Sequence, residues 1–171
     1  FSIFFFYYNK DLGKYAILTV DLRKRMTMGN IFNYLEDVQY DSIYDQPFTA
    51  LDMLLLTEMT YLNFDDIVTD SLTLQQAHRL VDIPQYMTQE ISMMNTKHRL
   101  ALLDQAAKVK RYKNIKLLGY VNDIDLDVQK QFAAMTYKIS LNTYVITFRG
   151  TDDSIIGWKE DFHMTYMEHV P

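Results

Sequence analysis

The chain contains no cysteine. That excludes disulfides and thiolate metal sites, and it fits a reducing, cytoplasmic setting. It also has no serine in the frame of a strand-to-helix nucleophile: Ser2, Ser42, Ser71, Ser92, Ser140 and Ser154 all stand outside a G-x-S-x-G sequence. With no thiol to take that role, no complete catalytic triad can be read. A basic excess is missing too, since the net charge is −5. Nucleic-acid binding requires the opposite balance. Finally, no transmembrane run exists. The aromatic stretch Phe1 to Tyr8 is broken by Asn9, Lys10 and Asp11, whereas a membrane helix needs about 20 apolar residues.

What is present is apolar material for one core. The 171 residues are 49% hydrophobic and 14% aromatic, within the roughly 100–200 residues usual for a domain. No repeat, low-complexity tract or Gly/Ser linker divides them. Residues 1–27 differ in character from the rest, and two readings stand: an upstream extension, or a β-hairpin with Tyr15 to Leu22 as its second strand. A secretory signal is disfavoured, because Arg23-Lys24-Arg25 follow the apolar run instead of preceding it. N-terminal sequencing of the natural protein separates the two, a start at Met28 supporting the extension.

From Met28 the pattern is helical. Ile31, Tyr34, Leu35 and Val38 share one face, with Asn30 as N-cap. Thr49 caps a helix over Ala50 to Leu62, with Phe48 stapled onto Met53, and the Met53-Leu54-Leu55-Leu56 run predicts burial nearly all round. Thr73 with Gln76 forms a further capping box. Thr96 opens a fourth helix reaching Arg111. After Lys113 the period changes, and Ile115 to Val121, Phe132 to Ile139 and Tyr144 to Phe148 read as strands, the last two joined by a loop of hairpin length. If the sheet stopped there, Tyr144 to Phe148 would be an exposed apolar edge prone to aggregation.

That third strand, Tyr144-Val145-Ile146-Thr147-Phe148, stops at Arg149-Gly150 and is followed by Thr151-Asp152-Asp153, Gly157 and the single tryptophan, Trp158. The layout places a backbone turn at the end of a buried strand. Two readings of Thr151 follow from residue type: a backbone N–H donor to an oxyanion, or a strand-ending turn whose threonine caps the next helix.

Phe148-Arg149-Gly150-Thr151 followed by Gly157-Trp158-Lys159-Glu160-Asp161-Phe162 resembles the F-R-G-T/S…W…D signature of class 3 lipases. It is similar, more closely, to the Mbeg-like family, a lipase-like group of bacterial α/β-hydrolases in which F-R-G-T-D-D…G-W-K-E-D-F recurs. Met28 to Leu35 and the segment from Pro47 to Phe64 resemble that family's opening. The resemblance implies an α/β fold: an incomplete α/β-hydrolase-like domain over residues 28–171, its helical segment followed by the first strands of the sheet. It implies a serine hydrolase with lipase- or esterase-like chemistry acting on a small-molecule ester or lipid, without cofactor. The nucleophile elbow, acid and histidine are expected beyond Pro171, so the fragment alone is expected to be inactive. Thr151 would then serve the oxyanion hole, with Arg149, Gly150, Asp152 and Asp161 supporting the loop. Trp158 would be either a lid or substrate contact or a core anchor.

The remaining signals have ordinary explanations. Asp152, Asp153, Glu160 and Asp161 would suit a hard cation, yet acidic residues favour a first helical turn for dipole reasons alone. Arg149 at a strand end predicts a carboxylate partner. Asp123-Ile124-Asp125-Leu126-Asp127 imitates a calcium loop but has Val128 and Ala134 where glycine and glutamate belong. Lys108, Lys110, Arg111, Lys113 and Lys116 are explained by solvation and the helix dipole, with phosphate or membrane-surface binding as the rival. His78, His98, His163 and His169 lack zinc-ligand spacing. A reading from another class is a non-catalytic binding or regulatory module that docks a partner through Tyr86, Met87, Met93 and Met94.

Overall fold

A computed structural model describes residues 2–10, 14–21, 29–81, 96–125 and 130–149. Among them the fold is mixed α/β. The strands are β1 (Ser2–Asn9), β2 (Lys14–Asp21), β3 (Leu72–Thr73), β4 (Lys116–Asp125), β5 (Lys130–Lys138) and β6 (Thr143–Phe148). The helices are α1 (Gly29–Asp37), α2 (Ala50–Thr60), α3 (Leu74–Leu80) and α4 (Thr96–Ala106). The strands form one sheet in the order β2-β1-β6-β5-β4-β3, every neighbouring pair antiparallel.

Among the described residues before Met28, β1 pairs antiparallel with β2, and β1 also pairs along β6 from Phe5↔Thr147 to Asn9↔Thr143. Tyr144 to Phe148 is therefore not an edge. Sequence pattern alone missed this because a long-range pairing leaves no periodic trace in either strand.

α2 is the centre of the core. Its Ala, Leu and Met residues favour helix, and its start is fixed by a reciprocal capping box: the Thr49 side chain accepts from the Asp52 N–H, and the Asp52 side chain accepts from the Thr49 N–H. Leu55, Leu56 and Met59 are fully buried, each side chain worth about 1.5–3 kcal/mol on removal from water. α2 packs on β1, β5 and β6 on one side and on α1 and α4 on the other, which accounts for burial all round. Two buried threonines would disrupt such a core if unbonded. Thr57 Oγ1 donates to the Met53 carbonyl, and Thr60 Oγ1 bonds the Leu56 carbonyl, Thr147 Oγ1 at 2.6 Å and Tyr137 Oη at 3.4 Å. This polar contact registers α2 against β5 and β6.

The strand pattern follows from that packing. Along β6, Thr143, Val145 and Thr147 are buried, while Tyr144, Ile146 and Phe148 alternate as half-buried. β4 carries an irregularity between Leu117 and Gly119 that shifts its register against β5. Beyond it, Tyr120 and Asn122 share a face with Met135 and Ala133, their cross-strand partners.

Several boundaries differ from expectation. Asn30 lies inside α1, not at its cap, and α2 ends at Thr60 instead of Leu62. α4 ends at Ala106, and the chain then runs through turns to Asn114, so Arg111 is not on a helix. Its side chain is held elsewhere by a stronger partner. The Thr73–Gln76 capping box is present, and Leu72–Thr73 additionally form a short strand on β4. Tyr86, Met87, Met93 and Met94 lie outside the described residues, as do residues 126–129.

Candidate functional site

Two clusters of charged and polar side chains stand out. The first ties the start of α2 to the turn after α4. Asp52 and Arg111 are fully buried and paired twice, Nε to Oδ1 at 2.7 Å and Nη2 to Oδ2 at 2.7 Å. Arg111 also donates to the carbonyls of Ser42, Gln46 and Pro47. All five guanidinium N–H groups thus have acceptors. The Tyr112 hydroxyl donates to Asp52 Oδ1, and the Thr49 N–H to Oδ2 at 2.6 Å. Burial pushes the Asp52 carboxyl up, but the Arg111, Tyr112 and Thr49 hydrogen bonds outweigh it, and the carboxyl stays below the usual range. Burial, and then the Asp52 charge, push the Tyr112 hydroxyl far up. Among the described residues, every Arg111 guanidinium N–H and both Asp52 carboxylate oxygens are hydrogen-bonded. Arg111 is therefore no member of a solvated basic patch. Of its neighbours, Lys108 pairs with Asp104 and Lys110 with Asp45, both at the surface.

The second cluster lies where β6 ends. The Arg149 N–H makes a ladder bond to the Ala133 carbonyl at 2.8 Å, so Gly150 is the residue that follows this bond. The Arg149 guanidinium donates through Nη1 to Asn122 Oδ1 at 3.4 Å, and Asn122 Nδ2 donates to Asp65 Oδ2 at 2.8 Å. Arg149 Nη2 is buried and has no acceptor among the described residues. A guanidinium N–H left without water or partner is costly, which marks this atom as exceptional. No carboxylate pairs with Arg149 among the described residues; its neighbour is an amide.

The far wall of this cluster is the loop after α2. Asn63 Oδ1 accepts from the Asp65 N–H at 2.8 Å, an Asx turn. Asp66 then takes a left-handed backbone, φ 60°, which a non-glycine residue tolerates best when it is Asp or Asn. Ile67 and Val68 N–H groups both close onto the Phe64 carbonyl. Tyr120 joins loop to sheet, its hydroxyl donating to the Leu62 carbonyl at 3.1 Å and its ring edge-on to Phe64 at 5.7 Å. Burial pushes the Tyr120 hydroxyl up to about 12, with Arg149 opposing and Asp65 adding to the shift. Tyr120 is thus a neutral donor at neutral pH.

Of the residues singled out in the sequence, Arg149 is placed at this end of the sheet. Gly150, Thr151, Asp152, Trp158 and Asp161 lie outside the described residues. Asp65, Tyr120 and Asn122 were not singled out at all. The Asn-Phe-Asp-Asp spacing at 63–66 carries a turn signal, but nothing local links it to a strand ending at residue 148. No group of three His, Cys, Asp or Glu suited to a metal occurs among the described residues. His78 contacts Asp104 at 3.2 Å instead. No helix among them is long and apolar enough to cross a membrane.

Comparisons bear on the same end of the chain. No curated protein and no solved structure matches it. A family model described as Mbeg1-like matches residues 106–171, a span that takes in β4, β5, β6 and the whole Phe148 to Phe162 motif.

Proposed function

We propose that this chain supplies the oxyanion-hole half of a serine hydrolase with lipase- or esterase-like chemistry, on an α/β-hydrolase-like scaffold. The observation that carries the reading is the end of β6: ladder pairing runs through Arg149, Gly150 and Thr151 come next in the sequence, and the Mbeg1-like match includes both. In the complete enzyme a serine encoded beyond Pro171 attacks the carbonyl carbon of an ester. The carbonyl oxygen then gains negative charge, and the Thr151 N–H donates to it. One such donor is worth about 3–4 kcal/mol of barrier. Arg149, Gly150, Asp152 and Asp161 shape the turn, and Trp158 borders the acyl group.

The experiment is to read the gene past Pro171 for a G-x-S-x-G sequence, then to treat the whole product with a serine-directed fluorophosphonate and short-chain nitrophenyl esters. Labelling with ester turnover is the expected result. A downstream sequence without the elbow, or a complete product that neither labels nor turns over ester, removes the catalytic reading.

A second reading, a binding or regulatory module, draws on Tyr40 and Tyr44, which are 79% and 78% exposed in the connection between α1 and α2. Tyrosine is enriched at protein contact surfaces relative to the rest of the surface. Absence of labelling in a well-folded product favours it.

A further inference from the structure

Independently of the hydrolase reading, we propose that two copies of this chain pack sheet against sheet, through the face that carries no helix among the described residues, with the strands of one copy running opposite to those of the other. The helices reach the sheet from one side. α2 packs on β1, β5 and β6, α3 on β3 and β4, and α1 and α4 on α2. Tyr137 and Thr147 point to that side, since both bond Thr60. Side chains alternate along a strand, so the intervening positions point the other way. Gly119, Thr136 and Ile146 make one cross-strand row there, and Val121, Ala134 and Phe148 make the next. Val121, Phe132 and Tyr8 are 49%, 42% and 38% exposed on this side, and the Phe132 ring lies 6.1 Å from that of Phe148. The exposed apolar groups therefore form one patch across adjacent strands, and a patch of that kind marks a surface that another layer covers.

Charge selects the occupant. Lys116 lies directly across from Lys138 at one end of this face, a like-charge pair that costs stability in the single chain. Neither lysine has a carboxylate partner among the described residues. Asp123 stands at the other end, across from Phe132. A twofold axis running across the strands, between the Gly119 and Val121 rows, brings the lysine end of each copy over the Asp123 end of the other. Sheets packed face to face stay aligned within about 30°, so rows near the axis remain matched. The same operation sets Val121 of one copy over Gly119 of the other, where a Cβ would meet nothing within 4 Å, and Phe148 over Ile146. A second copy thus supplies both apolar cover and opposite charge, whereas a neutral lipid surface supplies only the first.

The test is sedimentation velocity on the 171-residue chain over a concentration series, with the expected result a reversible monomer–dimer equilibrium. Lys116→Glu alone and Asp123→Lys alone each place like charges at both ends of the interface and are expected to raise the dissociation constant at least about tenfold. Mixing these two single variants restores opposite charges at both contacts of a mixed pair, and the mixture is expected to dimerise within about threefold of the parent. That recovery can arise only between molecules, and it shows that both variants fold. Ile146→Lys, at the centre of the face, is expected to abolish the dimer, while Leu141→Lys, 76% exposed in the β5–β6 loop, is expected to leave it unchanged. A dimer indifferent to the changes at 116 and 123, or a mixture no tighter than the single variants, overturns this interface. A parent chain that stays monomeric throughout also overturns it: pelleting with phosphatidylcholine vesicles would then assign the face to lipid, and failure to pellet would assign it to cover by the chain itself.

Discussion

Arg111 and Arg149 are the same side chain in opposite situations. Arg111 is fully buried and places every N–H on an acceptor, two of them the oxygens of one carboxylate. Arg149, half-buried at the end of β6, makes one long bond to an amide and keeps a buried nitrogen without an acceptor among the described residues. The first arrangement holds the start of α2 to the turn after α4 and leaves no guanidinium N–H without an acceptor. The second leaves a guanidinium nitrogen without an acceptor among the described residues, on the residue that precedes Gly150 in the sequence. A complete set of partners identifies a structural residue; an incomplete set identifies where to look for function.

The largest effect that would test this contrast is on stability. Asp52→Ala leaves the Arg111 charge buried without its partner and is expected to cost about 3–5 kcal/mol, measured by urea denaturation. Arg149→Ala is expected to cost far less. Comparable losses would remove the distinction between the two sites.

Acid should find the Arg111 end first. The folded Asp52 carboxyl is held below its ordinary value, so its contribution is fully present above the unfolded value of about 4 and is lost as pH falls through the lower folded value. Thermal unfolding followed from pH 6 down to pH 2 should show this decline, and Asp52→Asn should flatten it. An unchanged acid limb in the variant would contradict the assignment. At the alkaline end, the raised Tyr112 and Tyr137 hydroxyls stay protonated in the fold, and stability is expected to fall above about pH 10, where the unfolded tyrosines ionise.

A smaller effect is expected inside the core. Thr147→Val takes away the 2.6 Å partner of Thr60 and should cost about 1–3 kcal/mol, because one buried hydroxyl loses a partner. The double variant with Thr60→Val should cost less than the sum of the two single changes, and strict additivity would mean the two hydroxyls are not coupled. The smallest effect is at the surface. Lys108→Ala and Lys110→Ala each break an exposed ion pair and are expected to change stability by less than about 1 kcal/mol.

The helices and the last three strands could be read from the chain because their causes are local. Thr49 with Asp52 and Thr73 with Gln76 announce caps within one turn, and the change of period after Lys113 announces β4, β5 and β6. What could not be read depends on partners far away in sequence. The pattern around Arg111 reads as a solvated charge because Asp52, its partner, lies 59 positions earlier in the capping box of α2. β1 along β6 and the contact of Asn122 with Asp65 are of the same kind. The Phe148 to Phe162 motif was visible for a different reason, its resemblance to a family, and its residues after Arg149 lie outside the described structure.

The most direct measurement compares two substitutions at residue 151 in the complete gene product. Thr151→Pro deletes the backbone N–H, whereas Thr151→Ala keeps it and removes only the hydroxyl. The account predicts that the proline variant loses about 100- to 1,000-fold in kcat on a nitrophenyl ester, with the alanine variant within about tenfold of the parent and both still folded. A folded proline variant that hydrolyses ester at the parent rate would contradict it.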